Sequence, residues 1–97
     1  MTKAEAVSRV AEKTGIQKDE VEKILESFFV TVKHSLAQAE NIYIRGFGSF
    51  TIKQRAEKTA RNISLKSTII VPAHNIPFFK PSDEFINLVK NKNSAIN

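Results

Sequence analysis

Lysine and arginine residues that could contact phosphate groups are concentrated in the middle third of this 97-residue sequence. Residues 45–80 contain seven of them against one acid, a balance of +6, whereas residues 1–44 balance at −1 and residues 81–97 at zero. Such asymmetry is typical of a surface for a polyanion, nucleic acid before membrane, or of a basic face that is only solvated. Charge alone does not decide between the two. The seven cations are Arg45, Lys53, Arg55, Lys58, Arg61, Lys66 and Lys80.

Two apolar residues interrupt the cationic stretch, in the run TARNISLKS at 59–67. Ile63 and Leu65 lie between Arg61 and Lys66, and no Gly or Pro marks a turn there. The pair could pack together and shield a turn, or could insert into a ligand. Taken alone, the pattern favours packing.

Catalytic and metal-binding chemistry has little support. The absence of cysteine excludes disulfides and thiolate metal sites. His34 and His74 have no neighbours at metal-ligand or triad spacing, and we interpret both as surface residues. Gly46 and Gly48 are weak evidence for a phosphate loop and favour a tight turn. We therefore expect no enzyme activity, metal, cofactor or small-molecule substrate.

Two helices are predicted to come first. Thr2 and Glu5 have the spacing of a capping box, and Gly15 is suited to end the helix in a left-handed conformation. A second helix is predicted at about 18–39, because apolar residues recur there with helical period. The adjacent Phe28 and Phe29 on that stripe indicate core or subunit interface.

The period then changes to that of strands. Alternation predicts strands at Ile42–Arg45, Ser49–Arg55 and Thr68–Val71, with a hairpin turn near 62–65. Three prolines mark the return path, and Ser82 is placed to cap a last helix at about 83–92 whose Phe85, Ile86 and Val89 face inward. Two helices, three strands and one helix make an α+β domain.

Length and hydropathy limit the number of domains and the location of the protein. The chain is one domain, and its core is small enough that a partner subunit is expected. No stretch has the length of a membrane span or of a signal-peptide core, so we expect an intracellular, cytoplasmic protein.

Three motifs together resemble the bacterial histone-like HU and integration host factor family. They are GFGSF at 46–50, RAEKTARN at 55–62 and IPFFKP at 76–81, and the similarity covers about residues 1–92. The resemblance implies an intertwined homodimer with a helical body, a three-stranded antiparallel sheet and a protruding β-ribbon arm at about 55–71. It further implies a nucleoid protein whose arms wrap the minor groove of double-stranded DNA and bend it, with bent or nicked DNA preferred. Residues 93–97 are expected to be a disordered tail.

The resemblance also assigns roles to residues. Lys53, Arg55, Lys58 and Arg61 match positions that contact the DNA backbone and minor groove, and Asn62 precedes the residue that wedges between base pairs. Lys66 adds a cation to the arm, and Lys80 matches a basic position before the last helix. The aromatic residues of the dimer core correspond to Phe47, Phe50 and Phe79, beside Phe28 and Phe29 of the second helix.

The arm tip departs from the family pattern. Ile63 replaces the usual proline and both glycines are absent, but isoleucine is among the residues that can unstack a base step. Phe78 stands where a small residue is common, and Ser82 where glycine is. One alternative to nonspecific DNA bending is a site-specific protein like integration host factor, which could be a heterodimer. A second is a protein-interaction module that uses the edges of the ribbon. A third is RNA binding by the same arm.

Replacing Ile63 with Ala removes the wedge and leaves the arm cations in place. We expect a smaller DNA bend, measured by fluorescence transfer between duplex ends, and a loss of affinity for straight duplex below about tenfold. Ile63→Pro should restore the bend. An Ile63→Ala protein that bends DNA to the original angle would exclude the wedge.

Overall fold

The chain folds as helices on one side of a small sheet, with a separate two-stranded ribbon. The computed structural model describes residues 1–62 and 67–93. Within these, the elements in chain order are α1 (Lys3–Thr14), α2 (Lys18–Ala37), β1 (Ile42–Ile44), β2 (Gly48–Arg55), β3 (Lys58–Asn62), β4 (Ser67–Val71), β5 (His74–Pro81) and α3 (Asp83–Asn93). The α+β class predicted from the sequence is confirmed.

Helix α1 begins and ends as its sequence predicts. The Thr2 hydroxyl oxygen accepts a hydrogen bond from the Glu5 backbone N–H at 3.2 Å. Gly15 ends the helix with φ of 77°, and its N–H donates to the Ala11 carbonyl at 2.9 Å. Both contacts satisfy backbone groups that a helix terminus leaves without an intrahelical partner.

Helices α1 and α2 pack through a very small core. Among the described residues only Val7, Ala11 and Val21 are buried hydrophobics. At the surface the Lys3 ammonium donates to the Glu26 carboxylate, which raises the pKa of Lys3 and lowers the pKa of Glu26. Both side chains are about half exposed, so solvent screens this pair and it contributes little to stability.

The strands form two separate antiparallel sheets. The larger has the order β1-β2-β5, and β3 pairs with β4 to form the ribbon. The Cα radius of gyration is 18.9 Å, against about 13 Å for a compact domain of about 100 residues. The chain is therefore elongated, as expected for a body that carries a projecting ribbon.

Strand β5 was not predicted from the sequence, which favoured three strands and a proline-marked return path. Pro77 lies inside β5, opposite Ile52 of β2. Proline is tolerated there because β5 is an edge strand, where a missing N–H leaves no central ladder bond unmade. Strand β3 was also not predicted, because it lies in the polar run at 54–62. It pairs with β4 to form the predicted hairpin. Residues 63–66, where the turn was predicted, lie outside the described residues.

The Gly46-Phe47-Gly48 segment makes a tight turn between β1 and β2, as the sequence favoured over a phosphate loop. The Phe47 N–H donates to the Ile44 carbonyl at 3.0 Å, and Gly46 has a φ of 80°. A side chain at Gly48 would lie 2.6 Å from the Lys80 carbonyl oxygen and 2.7 Å from the Phe79 ring. Glycine at 48 therefore lets β2 and β5 approach closely.

Helix α3 is tied to this turn and capped by Ser82. The Ser82 hydroxyl accepts from the Phe85 N–H at 3.1 Å, and the Ser82 N–H donates to the Phe47 carbonyl at 2.9 Å. Ile86 and Val89, predicted to face inward, are instead 45% and 46% exposed, and they line an open groove together with Phe79 and Pro81 of β5. The helix includes Asn93, and residues 94–97 of the expected tail lie outside the described residues.

In the part of the chain that the structure describes, no helix is both long enough and apolar enough to cross a membrane.

Replacing Gly48 with Ala should destabilise the fold by about 2–3 kcal/mol, because the added methyl group meets backbone and a packed ring in a confined site. The matched control is Gly15→Ala, where φ is also positive but nothing lies within 4 Å of the added carbon. That control should cost only about 1 kcal/mol of backbone strain. Denaturant unfolding at one fixed protein concentration measures both, and equal losses would contradict the close approach at Gly48.

Candidate nucleic-acid interface

The register of β2 and β5 sorts their side chains onto two faces of the sheet. Residues directly opposite each other share a face, and successive residues along a strand alternate between faces. Phe50 is opposite Phe79, whereas Thr51 is opposite Phe78 and Lys53 is opposite Ile76. Phe50 contacts Phe28 of α2, so the face with Phe50 and Phe79 is the one that the helices cover.

The helix-covered face carries a cluster of aromatic rings, here called the phenylalanine cluster. Neighbouring ring centroids are between 5.1 and 6.4 Å apart, in the range of favourable aromatic pairs. The structure brings together all five residues predicted for the dimer core and adds Phe85 of α3. The cluster consists of Phe28, Phe29, Phe47, Phe50, Phe79 and Phe85.

The opposite side of the sheet, here called the open face, is polar and cationic. Its side chains are exposed or partly exposed, and strands β1, β2 and β5 contain no Asp or Glu at all. A sheet face whose strands carry cations and no acids favours contact with a polyanion. The open face consists of Tyr43, Ser49, Thr51, Lys53, Arg55, His74, Ile76, Phe78 and Lys80.

Three of the predicted DNA-contacting cations lie on the open face. Lys53 and Arg55 are two residues apart on β2, which separates them by about 7 Å along the strand, close to the axial rise of two nucleotides in one DNA strand. Lys80 lies at the other end, opposite Ser49. Within residues 1–62 and 67–93 none of the three forms a salt bridge, so their charge is available to a ligand.

The ribbon continues from the cationic end of the open face. Lys58 begins β3 opposite Val71 of β4, three residues beyond Arg55 in sequence. Arg61 and Asn62 end β3 at its far end, opposite Thr68 and Ser67. Ile63 and Lys66, predicted as wedge and tip cation, lie outside the described residues.

The sequence profile of the family described as bacterial DNA-binding protein matches residues 1–90. The chain belongs to this family.

Individual members of the family match over nearly the whole chain. A DNA-binding protein HU of Thermotoga maritima is 37% identical over 90 residues, covering 93% of this chain and all of that protein. An integration host factor subunit alpha of Anaeromyxobacter is 36% identical, covering 90% and 88%. A cocrystal structure of Anabaena HU with DNA superposes with a TM-score of 0.87 at 28% identity, covering 92% of this chain and 97% of that one. These relatives are named as DNA-binding or integration host factor proteins, and none of the three is named as an enzyme.

Phe78 and His74 of the open face, and the neighbouring Arg45, have no DNA-binding role among the positions assigned from the sequence. Phe78 was noted only as a departure, although its ring centroid lies 5.0 Å from the Lys53 ammonium. His74 is exposed opposite Arg55, and its Nδ1 donates to the Pro72 carbonyl at 2.9 Å. Arg45 shares a shallow depression at the Lys80 end of the sheet. Strand alternation would have found Phe78 and His74 if β5 had been predicted.

Proposed function

We propose that this chain binds double-stranded DNA as a homodimer, grips the minor groove with its ribbon and bends the duplex. The observation that carries the proposal is the open face, an acid-free sheet surface whose Lys53 and Arg55 lead directly into the ribbon that begins at Lys58. The family match supports DNA as the polyanion, since the relatives are named for binding it and one was crystallised with it.

The ribbon suits a duplex better than a single strand or a compact protein partner. A two-stranded ribbon fits a DNA groove, and its cations can follow phosphates on both sides. On this proposal Lys53, Arg55, Lys58, Arg61, Lys66 and Lys80 contact the backbone, while Asn62 and Ile63 act at the tip. Most of these contacts are to phosphate and sugar, so specificity is low and follows the deformability of the duplex.

A partner subunit is required by the apolar surface that one chain leaves uncovered. Phe28, Phe29 and Phe47 are 39%, 41% and 43% exposed although they belong to the phenylalanine cluster. Ile86 and Val89 of α3 add further exposed apolar surface beside them. A second copy placed over this surface completes the core, which supports an obligate homodimer.

Site-specific binding of the integration host factor type is the second candidate. The 36% identity to an integration host factor subunit is nearly the 37% identity to an HU protein, so similarity does not separate the two. Competition between random duplex and duplex selected from a random pool separates them, because a site-specific protein retains the selected sequence. We propose low sequence specificity for DNA, a location in the bacterial nucleoid and cytoplasm, and no catalytic activity.

DNA binding should depend strongly on salt. If a dimer neutralises roughly six to ten phosphates, affinity falls by about 10³–10⁵ between about 50 and 200 mM salt. Arg55→Gln removes two cations per dimer and should flatten the log–log salt slope by about two units. Lys13→Gln, on α1 and away from the open face, is the matched control and should leave the slope near its original value. An affinity that hardly changes with salt would contradict binding through contacts to DNA phosphates.

Folding and dimerisation should be coupled, since the apolar surface is covered only in the dimer. A hundredfold rise in protein concentration is then expected to raise Tm by roughly 5–10 °C. Calorimetry over that range, with sedimentation to give the mass, measures the effect. A chain that sediments as a monomer with a constant Tm would contradict the homodimer.

A further inference from the structure

Phe78 is the one phenylalanine of the seven in this sequence that lies outside the phenylalanine cluster. It lies opposite Thr51 on the open face, whereas its neighbour Phe79 lies opposite Phe50 under the helices. The residue is 41% exposed. A large ring on the outer face gives nothing to the core formed by the other six, so its placement calls for another partner.

The surroundings of Phe78 are those of a site for an anion rather than for an apolar partner. The Lys53 ammonium lies 5.0 Å from the ring centroid, close enough for a cation–π interaction that orders both side chains. Arg55 lies beyond Lys53 on the same strand, and Lys80 lies two residues beyond Phe78 on its own strand. A ring flanked by cations on an acid-free surface combines a stacking surface with charges for the adjoining phosphates.

This combination is the one that binds unpaired nucleotides. Aromatic side chains stack on base faces while nearby cations follow the backbone, and stacking tolerates any sequence because every base has a π-face. Base pairs of an intact duplex cover one another's faces, so a ring on a protein surface reaches a base face only where a nucleotide is unpaired. Phe78 is accessible for this because it lies partly exposed on the open face, which the helices do not cover.

We propose that Phe78 is a stacking platform for an unpaired base and that it makes the protein prefer DNA with extrahelical nucleotides over DNA that is only flexible. The inference rests on the proposed DNA-binding function. Lys53 has two roles in it, since it holds the ring from one side and contacts the phosphate of the stacked nucleotide.

Three duplexes of equal length and sequence test the proposal: one intact, one nicked, and one with a two-nucleotide bulge that contains 2-aminopurine. The nicked duplex bends easily but has no unpaired base, so it separates flexibility from stacking. The wild-type dimer should quench 2-aminopurine fluorescence in the bulge. Phe78→Leu keeps an apolar side chain without a ring, and should lose the quenching and about 5- to 100-fold in affinity for the bulged duplex.

The same variant should lose clearly less affinity for the intact and nicked duplexes than for the bulged duplex, because most of the phosphate contacts that dominate there do not involve the ring. Phe78→Tyr keeps the ring and should retain both the quenching and the preference. Equal loss on all three duplexes, or no loss on the bulge, would overturn the proposal, as would an absence of quenching by the wild-type protein.

The two proposals fail in distinguishable ways. Wild-type protein that binds none of the duplexes defeats the proposed function, whereas wild-type protein that binds all three without the bulge-specific effect of Phe78→Leu defeats only the stacking platform. A single-stranded RNA that binds more tightly than the bulged DNA, with the same dependence on Phe78, would assign the platform to RNA and overturn the DNA preference.

Discussion

The antiparallel register between β2 and β5 is the constraint on which the other features depend. It pairs eight residues of each strand, from Gly48 opposite Pro81 to Arg55 opposite His74. Because side chains alternate, a slip of one residue would move Phe79 out from under the helices and Phe78 in, and would break the shared face of Lys53 and Lys80. This register requires glycine at position 48, because any side chain there would clash with the Lys80 carbonyl oxygen of the facing strand.

The same register gives the two faces of the sheet different roles in stability and binding. One face supplies aromatic rings to a core that a single chain does not complete, because only three described hydrophobic residues are buried. The other face supplies cations that repel one another and contribute nothing to that core. Such a chain gains stability by associating through the first face, which leaves the second face free for the proposed contact with DNA.

Much of the body could be predicted from the sequence because local signals and tertiary structure agree there. The Thr2 and Ser82 caps, the Gly15 terminus and the turn at Gly46 each depend on contacts within a few residues. Strand β5 could not be predicted in this way, since three prolines conceal it and its pairing with β2 is long-range. Without β5, the face of Phe78 could not be assigned.

The aromatic core was predictable only in outline. Helical spacing indicated that Phe28 and Phe29 lie in a core or interface, and the family resemblance added Phe47, Phe50 and Phe79. Phe85 of α3 was predicted only to face inward, not to join these rings, although its ring is stacked 5.3 Å from Phe47. The roles of the arm residues came from the family resemblance rather than from their own pattern. For Ile63 and Lys66 those roles stay predictions, because they lie outside the described residues.

Affinity and selectivity have different sources in this arrangement. On the proposed function, phosphate contacts from Lys53, Arg55 and Lys80 would act on every duplex alike and would raise affinity without distinguishing one DNA from another. Discrimination must come from features that respond to the state of the duplex. On the same proposals, deformation of the duplex by the ribbon would respond to how readily base steps unstack, and the exposed ring of Phe78 would respond to whether a base is already unpaired. These two responses are independent, since one depends on the ribbon and the other on the edge strand of the body.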